Sequence, residues 1–144
     1  MNAKFKLSLS PPSPEDFANL RASVGWTNPS MIDIENSLTN SLFWVTVHLA
    51  DESHDKPSLV ATGRIIGDGA MYFYIQDVIV NPLYQGQQLG HKIMAEIELF
   101  LARNCQKGAT IGLLAAHGKE AFYQQYGYCK RDGEKLGLGM CKFI

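Results

Sequence analysis

Residues 74–101 constrain this chain most. An apolar stretch runs from Tyr74 to Val80, Asn81-Pro82 breaks it, the polar run Gln85-Gly86-Gln87-Gln88-Leu89-Gly90 follows, and a long amphipathic segment comes after that. In that last segment Leu89, Ile93, Ile97, Phe100 and Leu101 recur at helical spacing, while His91, Lys92, Glu96 and Glu98 fall largely elsewhere on the wheel. The pattern predicts a strand, a turn, and a helix packed on a sheet. A helix start leaves backbone N–H groups without partners and carries a partial positive charge, so an anion is its natural ligand. Gly86 and Gly90 lack Cβ atoms and allow a pyrophosphate close to the main chain, while Pro82 ends the strand and delays the helix. The bland alternative for two glycines before a helix is a turn with no ligand.

The rest of the chain supplies a sheet for that helix. Lys4 to Leu9 is a short strand candidate. Ser13-Pro14-Glu15-Asp16 combines an N-cap, a first-turn proline and acidic residues, and predicts a helix to about Val24. Gly25-Trp26-Thr27-Asn28-Pro29 breaks it before a second helix carrying Ile32, Ile34 or Glu35, and Leu38 toward Ser41. Phe43 to Leu49 and Leu59 to Ile66 read as strands, separated by a polar loop from Asp51 to Ser58. Gly67-Asp68-Gly69 tolerates the positive φ of a tight turn and predicts a hairpin into the strand from Met71 to Val80. After the long helix, which ends near Arg103, come a strand from Thr110 to Ala115, a short helix through Tyr126, and a terminal β region including Leu138 to Phe143. The sheet is therefore at least partly antiparallel.

Composition excludes several classes. At 144 residues and 46% hydrophobic content the chain forms one domain, 1–144, rather than two. A net charge of -1, without a basic stripe or an acidic tail, argues against a nucleic-acid partner and against disorder. Apolar runs fall far short of the roughly 18 residues needed to cross a bilayer, and no charged n-region precedes an apolar core, so no membrane partner and a cytoplasmic location are expected. Cys105, Cys129 and Cys141, like His48, His54, His91 and His117, lack the close spacing of metal ligands, and no metal is expected.

Val80-Asn81-Pro82 followed by Gln85 through Gly90 resembles the acetyl-CoA-binding motif of the GNAT superfamily of N-acetyltransferases, a strand ending Val-x-Pro and then Gln/Arg-x-x-Gly-x-Gly/Ala opening a helix. Gln88 departs from it, standing where the family usually has its first glycine. Phe122-Tyr123-Gln124-Gln125-Tyr126-Gly127-Tyr128 is similar to the family's Tyr-x-x-x-Gly-Phe/Tyr ending, with Tyr123 in the place of the tyrosine beside the sulfur of coenzyme A. Tyr126 and Tyr128 read as ordinary amphipathic core residues. Ala115-Ala116-His117-Gly118 replaces the family's usual asparagine near this helix, and that contact is not carried over.

The resemblance spans nearly the whole chain and implies an α+β fold of three layers, with a mixed, largely antiparallel central sheet flanked by helices. The strands ending at Val80 and starting at Thr110 splay apart in that fold. It further implies acetyl-CoA as the acetyl donor, held by the backbone of Val78, Ile79 and Val80 and by Gln85, Gly86, Gln87, Gln88, Leu89, Gly90 and His91. The Ile79 N–H would face the thioester carbonyl. Tyr123 would protonate the leaving sulfur, since a phenol with an ordinary pKa near 10 stays protonated at neutral pH. Asp77, the nearest carboxylate on the motif strand, is the candidate base through water, against the alternative that it fixes a loop or an arginine.

The expected acceptor is a primary amine of a small molecule. The resemblance nominates Trp26, Trp44, Tyr72, Tyr74 and Arg64 as cleft walls, although aromatic residues on strands are more often core. A protein or peptide amine is the alternative acceptor, and a non-catalytic acyl-CoA-binding module the alternative class. A dinucleotide-dependent oxidoreductase needs an acidic residue at the end of the next strand, and residues 110–116 have none. Oligomeric state has no legible signature; homodimers are frequent among similar proteins and a symmetric dimer is the default.

Overall fold

The computed structural model describes residues 4–50 and 58–144, so residues 51–57 of the polar loop, with His54, lie outside the described residues. The elements run β1 (Phe5–Ser8), α1 (Pro14–Ser23), α2 (Met31–Thr39), β2 (Phe43–Leu49), β3 (Leu59–Gly67), β4 (Tyr72–Val80), a 3-10 turn (Pro82–Tyr84), α3 (Leu89–Asn104), β5 (Thr110–Leu113) and α4 (Glu120–Gln124). The chain divides into two compact units between Gly112 and Leu113.

In the first unit the strands form a five-stranded open sheet in sequence order, β1-β2-β3-β4-β5. The first four pair antiparallel. The Thr110 N–H, at the start of β5, donates to the carbonyl of Met71 just before β4 (2.8 Å), so the two strands set out from the same end and the sheet is mixed. The hairpin before β4 forms because the Asp68 carboxylate accepts from the N–H groups of Ala70, Met71 and Tyr72, and these bonds lower its pKa.

Both faces of the sheet are covered. Trp44 and Arg64 are cross-strand partners facing α1 and α2, and Trp44 packs edge-on against Phe17 with ring centroids 5.4 Å apart. Phe17, Ile34, Leu38 and Trp44 make the core of that side. The next pair along, Val45 and Gly63, points the other way, toward α3. Leu89, Ile93, Met94, Ile97 and Leu101 of α3 are buried there, each worth about 1.5–3 kcal/mol of apolar burial. Gly63 is required where α3 crosses: a Cβ on it would fall inside the Ile93 side chain and 3.0 Å from Ile97 Cδ1.

Alternation along β4 is interrupted once. Thr62 pairs with Ile79 while Arg64 pairs with Gln76, so Gly63 alone opposes both Asp77 and Val78. Asp77 takes the extra place in this bulge with φ +52, a left-handed conformation uncommon for a residue with a side chain. The Thr62 hydroxyl donates to its carbonyl (2.9 Å).

The expected terminal strand is corrected: among the described residues no strand follows β5, and Leu138 to Phe143 is irregular. Gly137 and Gly139 alternate with Leu136, Leu138 and Met140, which gives the segment a period of two but little β preference, and those three apolar side chains are exposed.

Candidate active site

β4 and α3 meet through a short connection built by its own side chains. Asn81 ends the strand: its N–H donates to Val60 O (2.8 Å), and its side-chain oxygen accepts from Leu83 N–H (3.0 Å) to start the 3-10 turn. Gln85 then turns back, its Nε2 donating to Val80 O (3.0 Å). This bond ties the glycine-bearing run to the end of the strand and brings Val78–Val80 and Gln85–His91 together.

The loop passes through the left-handed region twice, at Gly86 (φ +81) and at Gln88 (φ +66, ψ 16). Gln88 therefore adopts the conformation that a glycine would supply there without strain. No heavy atom outside its chain neighbours comes within 4 Å of where a Cβ on Gly86 would sit, so the space above this backbone is open. Gln85, Gly86, Gln87 and Gln88 are exposed, Gly90 and His91 are half-buried, and Leu89 is buried in the core.

Helix starts in this chain differ in a way that matters here. Ser13 and Ser30 cap α1 and α2, each side chain accepting from an N–H three residues on at 3.2 Å. Gln88 makes no such bond at the start of α3, and the first turn of α3 carries no acidic residue. The sixteen-residue helix thus presents uncapped amides and its positive dipole end to the loop, an arrangement that fits a diphosphate.

Beneath β4 lies a buried ionic cluster. The side chain of Asp77 is fully shielded, and its oxygens are taken by two guanidinium groups: Oδ1 by Arg21 Nη1 (2.9 Å) and Oδ2 by Arg64 Nε (2.8 Å). Arg64 Nη1 also donates to Ser37 Oγ (2.8 Å) and Ser41 Oγ (3.0 Å), and its guanidinium lies 5.2 Å from the Trp44 ring. Asp77 is consequently placed to fix arginines, and neither oxygen opens to solvent where a substrate proton would be collected. Trp44 and Arg64, nominated as cleft walls, are core residues; Tyr72 is exposed, and Trp26 and Tyr74 are half-buried.

In the second unit Tyr123 lies on α4, with its ring edge-on to Phe122 at 5.1 Å and its carbonyl accepting from Tyr126 N–H (2.9 Å). Burial pushes its hydroxyl above the ordinary tyrosine pKa. Gly127, at φ +93, makes the turn that ends this segment. Among the described residues no group of three or more His, Cys, Asp or Glu could hold a metal, and no helix is long and apolar enough to cross a membrane.

Arg21, Asn28 and Thr62 carry functions in this architecture that the sequence reading did not assign. One signal for the cluster was present: opposite charges at Arg64 and Asp77 in the middle of two strands joined by a short hairpin, where an unpaired charge would be costly.

Comparison with known proteins agrees with the fold. The sequence profile of the Acetyltransferase (GNAT) domain matches residues 40–130. An uncharacterized N-acetyltransferase, ycf52-like, from Prochlorococcus marinus is 32% identical over 114 residues, covering 78% of this chain and 61% of that protein. The histone acetyltransferase TAP1 of Glycine max is 29% identical over 119 residues, covering 78% of this chain and 50% of its own length. The chain thus spans about half to three-fifths of the length of these curated relatives. Among solved structures, a protein of unknown function from meticillin-resistant Staphylococcus aureus, described as a probable acetyltransferase, superposes with a TM-score of 0.82 at 29% identity over 96% of this chain and 99% of that one. A GNAT family acetyltransferase from Streptococcus pneumoniae gives 0.74 at 26% identity, over 97% and 98% of the two chains. This chain belongs to the GNAT acetyltransferase family.

Proposed function

We propose that residues 1–144 act as one N-acetyltransferase domain that moves an acetyl group from acetyl-CoA directly to the primary amine of a small molecule. The observation that carries this reading is the uncapped start of α3, facing a loop bent through two left-handed residues at the end of β4. The donor's diphosphate lies against the amides of Gly86 through His91, with Gln85 holding the loop to Val80, and the backbone of Val78–Val80 receives the pantetheine arm.

Transfer joins the amine nitrogen to the acetyl carbon as the carbon–sulfur bond breaks; the amine gives up a proton and the sulfur takes one. The bulge at Asp77 shifts the register of the residues after it, and the Ile79 N–H stabilises negative charge on the carbonyl oxygen. Tyr123 holds the proton for the sulfur, and its raised pKa keeps that proton in place. Asp77 positions arginines, and water takes the amine's proton. A cytoplasmic location belongs to the same proposal.

The histone acetyltransferase among the relatives favours a second reading, a protein or peptide amine as acceptor. Release of free thiol from acetyl-CoA, measured across small amines and peptides, tests both. Acetylation of small amines supports the first, acetylation of peptides alone supports the second, and acetyl-CoA binding without turnover on any amine points to a non-catalytic module.

A further inference from the structure

The α1–α2 turn and the bulge of β4 are far apart in sequence, and one guanidinium joins them. Two nitrogens of Arg21 serve the turn and the third serves the bulge. Nε donates to Asn28 Oδ1 (3.0 Å), Nη2 to the Thr27 carbonyl (2.8 Å), and Nη1 to Asp77 Oδ1 (2.9 Å). The same group lies 5.4 Å from the Trp26 ring centroid, so it stacks on the one turn residue with a large apolar surface. Asn28 is held in turn, its Nδ2 donating to Ala18 O (2.9 Å), and the Trp26 N–H donates to the Arg21 carbonyl (3.0 Å). On the other side Arg64 takes the second oxygen of Asp77, which leaves the carboxylate no freedom to turn away.

We propose that Arg21 is a positioning residue that locks the turn at Trp26–Asn28 to the β4 bulge and so sets how the acceptor amine meets the strand that holds the donor. This deepens the acetyltransfer reading and rests on it for the meaning of the two sides. Backbone strain at Asp77 makes the lock consequential. A left-handed aspartate persists only where its surroundings over-determine it, and here two guanidiniums and the Thr62 hydroxyl do so. Holding that residue fixes where Val78 and Ile79 begin. Holding Thr27 and Asn28 with the same planar group fixes the Trp26 face relative to them. The acceptor would be an amine with an apolar body that lies against Trp26, while donor affinity depends on the separate loop at Gly86–His91. A lysine cannot replace this fork, because it is a point charge that reaches Asp77 without also serving Thr27 and Asn28.

The test compares Arg21→Lys and Arg21→Gln with the wild type by three measurements. These are backbone amide exchange at Trp26, calorimetric affinity for coenzyme A, and acceptor KM with spermidine, tyramine and a peptide α-amine as probes. Both substitutions are expected to speed exchange at Trp26 about tenfold and raise acceptor KM about tenfold, with coenzyme A affinity within about twofold. Arg21→Lys keeps the charge beside Asp77 and should recover most of the melting temperature without recovering exchange or KM. Wild-type exchange and KM in Arg21→Lys would overturn the lock, as would acceptor KM and coenzyme A affinity worsening together. If the wild type binds coenzyme A and acetylates none of the probes, the acetyltransfer reading fails, and exchange at Trp26 alone then decides whether Arg21 holds the turn.

Discussion

Arg64 and Asp77 form an ion pair inside the protein, Nε to Oδ2 at 2.8 Å, with 9% and 0% of their side chains exposed. The pair holds a carboxylate at the one place where β4 leaves regular strand geometry. It accounts for a charged residue in the middle of an apolar strand without assigning it any proton chemistry.

Removing one member of such a cluster strands the others. Asp77→Ala leaves two guanidiniums beside a buried gap and should lower unfolding free energy by about 3–5 kcal/mol. Urea unfolding measures it, and a loss below about 1 kcal/mol, in the range of a surface pair, would show that the cluster is hydrated in solution.

Gly63 faces the crossing of α3 with no room to spare. Gly63→Ala should destabilise by about 1–3 kcal/mol through overpacking against Ile93 and Ile97. An unchanged urea midpoint would place α3 elsewhere on the sheet.

Gln88 tests the loop's conformation directly. A left-handed backbone disfavours β-branched side chains most, so Gln88→Val should be less stable than Gln88→Gly by about 1–2 kcal/mol. Equal thermal unfolding of the two variants would mean that residue 88 is not left-handed in solution.

Tyr123 gives a prediction in pH. Its folded pKa is raised by burial, so the protonated form persists through neutral pH and is lost only as pH rises through that raised value. Turnover should climb with pH as the amine loses its proton, with no descending limb below about pH 10, and Tyr123→Phe should lower kcat about 100-fold with little change in acetyl-CoA affinity. A descending limb near pH 8 that the phenylalanine variant abolishes would contradict the raised pKa, and unchanged kcat would remove Tyr123 from the chemistry.

Most of the fold was legible because its signals are local. Ser13-Pro14-Glu15-Asp16 announces α1 with a cap, a proline and two acids; Gly67-Asp68-Gly69 fixes the hairpin; and the apolar spacing of α3 runs long enough to specify a helix. The glycine-bearing run was legible as a turn into a helix for the same reason. Leu138 to Phe143 misled because alternation with Gly137 and Gly139 imitates a strand while offering little intrinsic preference for one. Asp77 was ambiguous because its role depends on Arg21, 56 positions earlier, and no local pattern encodes that pairing. Gln88 stood against the family pattern in the sequence, and the structure explains it: the backbone adopts the left-handed turn, and the side chain is exposed rather than closing the loop.

Titration of the folded protein with coenzyme A in a calorimeter tests the central claim most directly, with Gly86→Val beside it. A diphosphate seated on the amides that open α3 predicts saturable heat for the wild type and affinity at least about tenfold weaker for the variant, whose β-branched side chain opposes φ +81. No heat and no saturation at millimolar coenzyme A would contradict the account.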